Sequence, residues 1–160
     1  MIIYVKTNKI TTMGRNIKYI AVHCTAGSQK ATVRDLELEF KRKGWKNPGY
    51  HYVVMADGKI HQLLDTEKVS NGVKGFNSVT VNVAYTGGID AKGNPTDNRT
   101  EEQKASLRKL LKLLKGKFPD AVIQGHRDFS PDKNGNGVVD AWERIKACPC
   151  FNAKTEYKDL

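Results

Sequence analysis

The chain has 160 residues, of which 39% are apolar and 28% charged. That balance suits one folded domain with its own core and excludes a disordered chain. No apolar run approaches the roughly 20 residues a membrane span requires, so no membrane insertion is expected. Three cysteines are too few, and too odd in number, for a disulfide framework. Met1–Lys9 lacks the basic-then-apolar order of a secretory leader, which predicts synthesis in the cytoplasm. The 27 basic residues outnumber the 17 acidic ones and leave a net charge of +10. Such an excess favours polyanionic partners, whether nucleic acid, anionic lipid or an anionic cell-wall polymer, without choosing among them.

Residues 17–24 are short, apolar and rich in β-formers, as expected of a buried strand. Residues 32–43 read as a helix: Val33, Leu36 and Phe40 share a face, Glu37 and Lys41 are spaced to pair, and Gly44 stops it. Residues 50–55 and 59–62 flank Asp57-Gly58, a hairpin signal. Gly72 and Gly75 suggest a flexible loop before a strand at 79–86 and a turn at Gly87-Gly88. Thr100-Glu101-Glu102-Gln103 is a capping box opening a helix with Leu107, Leu110, Leu111 and Leu114 on one stripe. The lysines and arginines of that helix read as a solvated face rather than a nucleic-acid stripe, because no aromatics are interleaved with them. Residues 121–125 form a last short strand. Strands alternating with two long helices predict an α/β fold: a single domain with a central mixed β-sheet flanked by helices.

Ligands in such folds gather at the carboxyl ends of strands, and His23 and His126 both lie at strand ends. Cys148 sits on a loop, in Lys146-Ala147-Cys148-Pro149. Two histidines and a cysteine would leave one corner of a zinc tetrahedron open for water, as catalytic sites do. In extended chain Lys146 and Cys148 face the same side, where an ammonium would stabilise a thiolate or an oxyanion. Cys150, two residues further on, faces that side too and is a rival ligand. Cys24 suits a small buried hydrophobe, His61 a surface position, and His51 the strand face opposite Tyr50.

Val22-His23-Cys24-Thr25, Gly44-Trp45, Gly49-Tyr50-His51-Tyr52, Thr86-Gly87-Gly88-Ile89-Asp90, Gly125-His126-Arg127-Asp128 and Lys146-Ala147-Cys148-Pro149 follow one another in order. With these motifs, spread from about Ile17 to Phe151, the chain resembles the zinc-dependent N-acetylmuramoyl-L-alanine amidases of the phage-lysozyme and peptidoglycan-recognition-protein superfamily. The resemblance implies that fold, and zinc held by His23, His126 and Cys148, with Tyr50 and Lys146 as catalytic partners. The implied reaction is hydrolysis of the amide between N-acetylmuramic acid and L-alanine in peptidoglycan. It implies a phage endolysin or a cell-wall-targeting bacterial effector, acting on the wall after release or export, as a monomer. Relatives often carry a histidine where this chain has Gly72.

Between the second and third ligands the segment 132–143 fits the calcium-loop pattern. Asp132, Asn134 and Asn136 take positions 1, 3 and 5, Gly137 the sharp turn, Val138 a carbonyl ligand, Asp140 position 9 and Glu143 the bidentate position 12. The loop resembles an EF-hand loop, inserted relative to the simplest phage amidases, and one structural calcium is expected there. A glycine-rich turn followed by a capping box, Asp140 to Glu143, is the competing reading. Pro131 makes an ordinary incoming helix unfavourable. Two other functions stand against the enzyme: a non-catalytic muropeptide-binding module of the same fold, and a nucleic-acid or polymerase partner suggested by charge alone.

Overall fold

Alternation along three neighbouring strands sets the layers of this protein. The structure is a computed structural model that describes residues 14–160. The leader reading of Met1–Lys9 therefore lies outside the described residues. Strands β1 (Tyr19–Cys24), β2 (Tyr52–Val54), β3 (Ile60–Gln62), β4 (Thr80–Tyr85) and β5 (Val122–Gly125) form one sheet in the order β3-β2-β4-β1-β5. Only β2 and β3, the hairpin, pair antiparallel; β1 pairs parallel with β4 and β5, and β2 parallel with β4. This is the mixed sheet expected, in a single domain.

On one face Ile20, Val22 and Cys24 of β1 and Val81, Val83 and Tyr85 of β4 meet Leu107, Leu110, Leu111 and Leu114 of helix α2 (Glu101–Lys117). Leu107 and Leu111 are wholly buried, and each such side chain contributes about 1.5–3 kcal/mol. Period two sends the intervening residues, Ala21 and His23 of β1 and Thr80, Asn82 and Ala84 of β4, to the other face. There a smaller cluster of Leu36, Phe40 and Val53 seats helix α1 (Val33–Arg42). The short helix α3 (Ala153–Glu156) packs Ala153 and the following Tyr157 into the larger core.

Both long helices start where the sequence signals placed them. Thr32 and Asp35 cap α1 reciprocally, as Thr100 and Gln103 cap α2. Glu37 and Lys41 do not form the pair expected on α1; its i,i+4 ion pair is Glu39–Lys43, at 2.9 Å. Several charges of α2 have partners: Lys104 meets Glu101, Arg108 meets Asp159, and the Lys115 ammonium donates to the carbonyls of Pro119 and Ala121. The loop from 63 to 79 is tied down rather than loose. Arg15 donates from its guanidinium to the carbonyls of Thr66, Lys68, Asn77 and Thr80, and Val73 N–H donates to Asn77 Oδ1.

Candidate metal centre and catalytic cleft

The carboxyl ends of β1 and β5 open into a cleft of ≈ 580 Å³. His23 reaches it from β1, and His126 from the 3-10 turn His126–Phe129 that follows β5. Cys148 arrives on a loop held by two bonds: Arg127 N–H donates to the Cys148 carbonyl at 2.8 Å, and the Tyr85 hydroxyl to the Pro149 carbonyl at 2.7 Å. One ligand atom from each of His23, His126 and Cys148 lies within 4.8 Å of the others. Among the described residues this is the one His/Cys/Asp/Glu group gathered tightly enough to hold a metal ion.

The donor chemistry fits a zinc-like cation. His23 Nδ1 is 3.8 Å from Cys148 Sγ, and two such ligands on a tetrahedral zinc stand about 3.6 Å apart. His23 Nε2 donates to Asn82 Oδ1 at 2.8 Å, which leaves the Nδ1 lone pair facing the cluster. Burial pushes His23 down to about 3 and His126 to about 4, with Lys146 adding to both, so each ring is neutral and able to donate its lone pair. The adjoining Cys24 and burial drive the Cys148 thiol well above its ordinary value, so a cation is what would hold it as thiolate.

Asn82 was not foreseen as a site residue. It lies fully buried in the middle of β4. Its Nδ2 donates to Ser70 Oγ at 2.7 Å, and its backbone N–H donates to His51 Nδ1 at 2.9 Å. His51 Nε2 in turn donates to the Lys68 carbonyl at 2.8 Å. His51 thus has the structural place expected of it, and through Asn82 it braces His23. The sequence did carry a signal: an asparagine inside Thr80-Val81-Asn82-Val83-Ala84-Tyr85 breaks an otherwise apolar strand, and a buried amide needs partners. Gly72 belongs to the same arrangement. A Cβ there would stand 2.3 Å from Asn82 Cγ, so only glycine lets the amide reach His23.

Tyr50 and Lys146 both line the cleft. The Tyr50 ring lies 5.3 Å from that of His23 and edge-on to Phe40 at 5.6 Å. Burial holds its phenol far above the usual value. Trp45 stacks on Phe40 in the cleft wall, with Lys43 over its outer face at 4.8 Å. Cys150, the rival ligand, turns elsewhere: its sulfur points to the Gly88 carbonyl at 3.4 Å and lies 3.9 Å from Cys24 Sγ. His61 is exposed on β3.

The segment 132–143 is a separate structure. Asp132 accepts the N–H groups of Gly135 and Gly137. The Asn134 and Asn136 amides both donate to Asp140 Oδ2. Glu143, 1% exposed, accepts from the backbone of Lys133, Asn134 and Asp140, the last being half of the expected capping box. Val138 is exposed at the surface.

A family model described as N-acetylmuramoyl-L-alanine amidase matches residues 13–150. The chain belongs to this family. This amidase is 39% identical over 147 residues to an endolysin of Klebsiella phage KP32, covering 89% of the chain and 87% of that relative. To an endolysin of Enterobacteria phage K11 it is 38% identical over 133 residues, covering 82% of the chain and 79% of the relative. Its fold is similar to that of the Ph2119 endolysin from Thermus scotoductus MAT2119 bacteriophage Ph2119, with a TM-score of 0.65, 26% identity and coverage of 85% and 79%. The bumblebee peptidoglycan recognition protein PGRP-SA, 14% identical, shares the fold with a TM-score of 0.66 over 91% of this chain and 82% of its own. The enzyme is an N-acetylmuramoyl-L-alanine amidase that breaks down peptidoglycan, and no helix of its described residues is long and apolar enough to cross a membrane.

Proposed function

We propose that the amidase works with one zinc ion held by His23, His126 and Cys148, with Tyr50 and Lys146 completing the catalytic site. The observation that carries this reading is the convergence of three donor atoms: both rings are neutral, His23 is fixed in one tautomer by Asn82, and Cys148 Sγ faces His23 Nδ1. Bound there, zinc would polarise the scissile carbonyl and lower the pKa of a water to about 7. The chain's own groups do the rest. The Lys146 ammonium faces the negative charge that develops on the lactyl carbonyl oxygen. Tyr50, held protonated by burial, acts as a hydrogen-bond donor that orients water or carbonyl rather than as a base. Water adds its oxygen to the muramyl acyl carbon, and its proton ends on the departing L-alanine nitrogen. Trp45, Lys43 and Lys74 in the same cleft offer a wall for the stem peptide and its carboxylates.

Action as a monomer is part of this reading. A catalytic rather than purely muropeptide-binding role is favoured because the cysteine ligand, Tyr50 and Lys146 stand in one cleft. Delivery from the cytoplasm to the wall by lysis or export is part of this reading, supported by kinship with endolysins. We assign to the loop of Asp132, Asn134, Asn136, Val138, Asp140 and Glu143 one structural calcium, supported by its spacing and by the buried Glu143 carboxylate; binding would require the two asparagine amides to turn their oxygens inward.

Metal analysis of the purified protein tests the zinc centre. The expected result is one zinc per chain, lost in Cys148→Ala and kept in Cys150→Ala. A protein that loses zinc only in Cys150→Ala contradicts the ligand set. For calcium, isothermal titration is expected to show binding that Glu143→Gln removes; no heat at millimolar calcium defeats that assignment.

A further inference from the structure

Cys24 and Cys150 are two thiols that the amidase reaction does not use. They come from opposite ends of the chain yet meet beside the metal centre: Cys24 at the carboxyl end of β1, Cys150 on the loop that delivers Cys148. Their sulfurs are 3.9 Å apart, in van der Waals contact, against about 2.0 Å in a disulfide. Two features hold them there. Cys150 has φ 73°, a backbone conformation that side chains other than glycine's rarely adopt, and it turns the sulfur toward β1. Gly88 makes room for Cys24, since a Cβ on that glycine would stand 2.5 Å from both Cys24 Cβ and Sγ. The third thiol is differently committed: Cys148 Sγ accepts the Cys24 backbone N–H at 3.2 Å and faces His23 Nδ1. Both residues line the cleft, but Cys150 is partly exposed, where a small molecule reaches it, whereas Cys24 is 4% exposed.

We propose that Cys24 and Cys150 are an oxidisable pair that closes to a disulfide, stapling the end of β1 to the ligand loop while leaving Cys148 free for metal. The oxidant is a disulfide compound. The Cys150 thiolate attacks it and releases one thiol; the Cys24 thiolate then attacks the Cys150 sulfur of the mixed disulfide and releases the second. The protein loses two hydrogens and two electrons, and the oxidant is reduced to two thiols. The setting suits the reaction, because the peptidoglycan on which this family acts lies outside the reducing cytoplasm. The staple closes a loop of more than a hundred residues between strand and ligand loop, the span over which a cross-link stabilises most.

The test uses the metal-loaded full chain, reduced and then incubated with oxidised glutathione. Thiol titration, intact mass and a non-reducing peptide map are read with zinc content and Tm. The proposal requires loss of two thiols and of the mass of two hydrogens, a mapped Cys24–Cys150 linkage, unchanged zinc and a Tm raised by about 5 °C or more. Cys150→Ser abolishes the linkage and the Tm rise. A stable glutathione adduct on Cys150 without closure, a linkage containing Cys148, or three unreacted thiols overturns it. None of these outcomes bears on whether the reduced protein holds zinc and cleaves peptidoglycan, so failure of the staple and failure of the zinc amidase reading remain distinguishable.

Discussion

The metal centre and the loop at 132–143 are both motif-bearing, both rich in ligand-type side chains, and adjacent in sequence. They are built in opposite ways. The centre takes its groups from β1, the turn after β5 and the last loop, 125 residues apart in the case of His23 and Cys148, and buries them against a polar relay. The loop takes all its groups from twelve consecutive residues, leaves most exposed, and satisfies them with its own N–H groups and amides. One is organised by the sheet, which aims its donor atoms at one another. The other is organised by itself, so its oxygens are already engaged.

The sharpest way to break this contrast is at the centre itself. Cys148→Ala or His126→Ala removes a donor from a three-ligand site, and amidase turnover on peptidoglycan is expected to fall by roughly 100-fold or more together with zinc content. A variant that keeps its zinc and most of its rate contradicts the assignment of that residue.

The relay behind the centre should matter nearly as much. Asn82→Leu strands the Nε2–H of His23 in a buried site and is expected to weaken zinc binding by about 10- to 100-fold. Asn82→Asp keeps an acceptor for that N–H and should retain more affinity. Gly72→Ala, which pushes on the same amide, should move affinity the same way. Competition with a chromophoric chelator measures all three, and equal affinity across the set removes Asn82 from the account.

Acid tests the same relay through stability. His51 is held at about 4, chiefly by burial, below the ~6.5 of a free histidine. The unfolded chain therefore takes up this proton first, so stability is full above ~6.5 and declines as pH falls toward 4, by on the order of 3 kcal/mol. Denaturant midpoints at pH 7 and pH 4.5, compared between the native protein and His51→Gln, read this directly. The variant is expected to be less stable at pH 7 but to show a shallower fall.

The smallest effects belong to the loop. Glu143→Gln weakens an acceptor of three backbone N–H groups at one buried carboxylate and should cost about 1–3 kcal/mol. Zinc affinity should hardly change without calcium. A large loss of zinc in this variant would show that the two regions are coupled rather than separate.

How much of this could be read from the chain follows the same division. The apolar, β-former-rich run at 17–24, the strand expected at 79–86, the capping box at Thr100 and the Asp57-Gly58 turn are local signals, and the elements appear where they point. The His23–His126–Cys148 cluster was legible because two of its members stand at the carboxyl ends of parallel strands. Asn82, Gly72 and the Cys24–Cys150 contact were not, because each depends on which residue of one strand or loop faces which residue of another.

The central claim is that the three converging donors hold a metal on which peptidoglycan cleavage depends. Incubation with purified peptidoglycan, while new L-alanine amino termini are measured, tests it most directly. The account predicts steady release that a chelator abolishes and stoichiometric zinc restores. Release that continues unchanged after complete metal removal would contradict it.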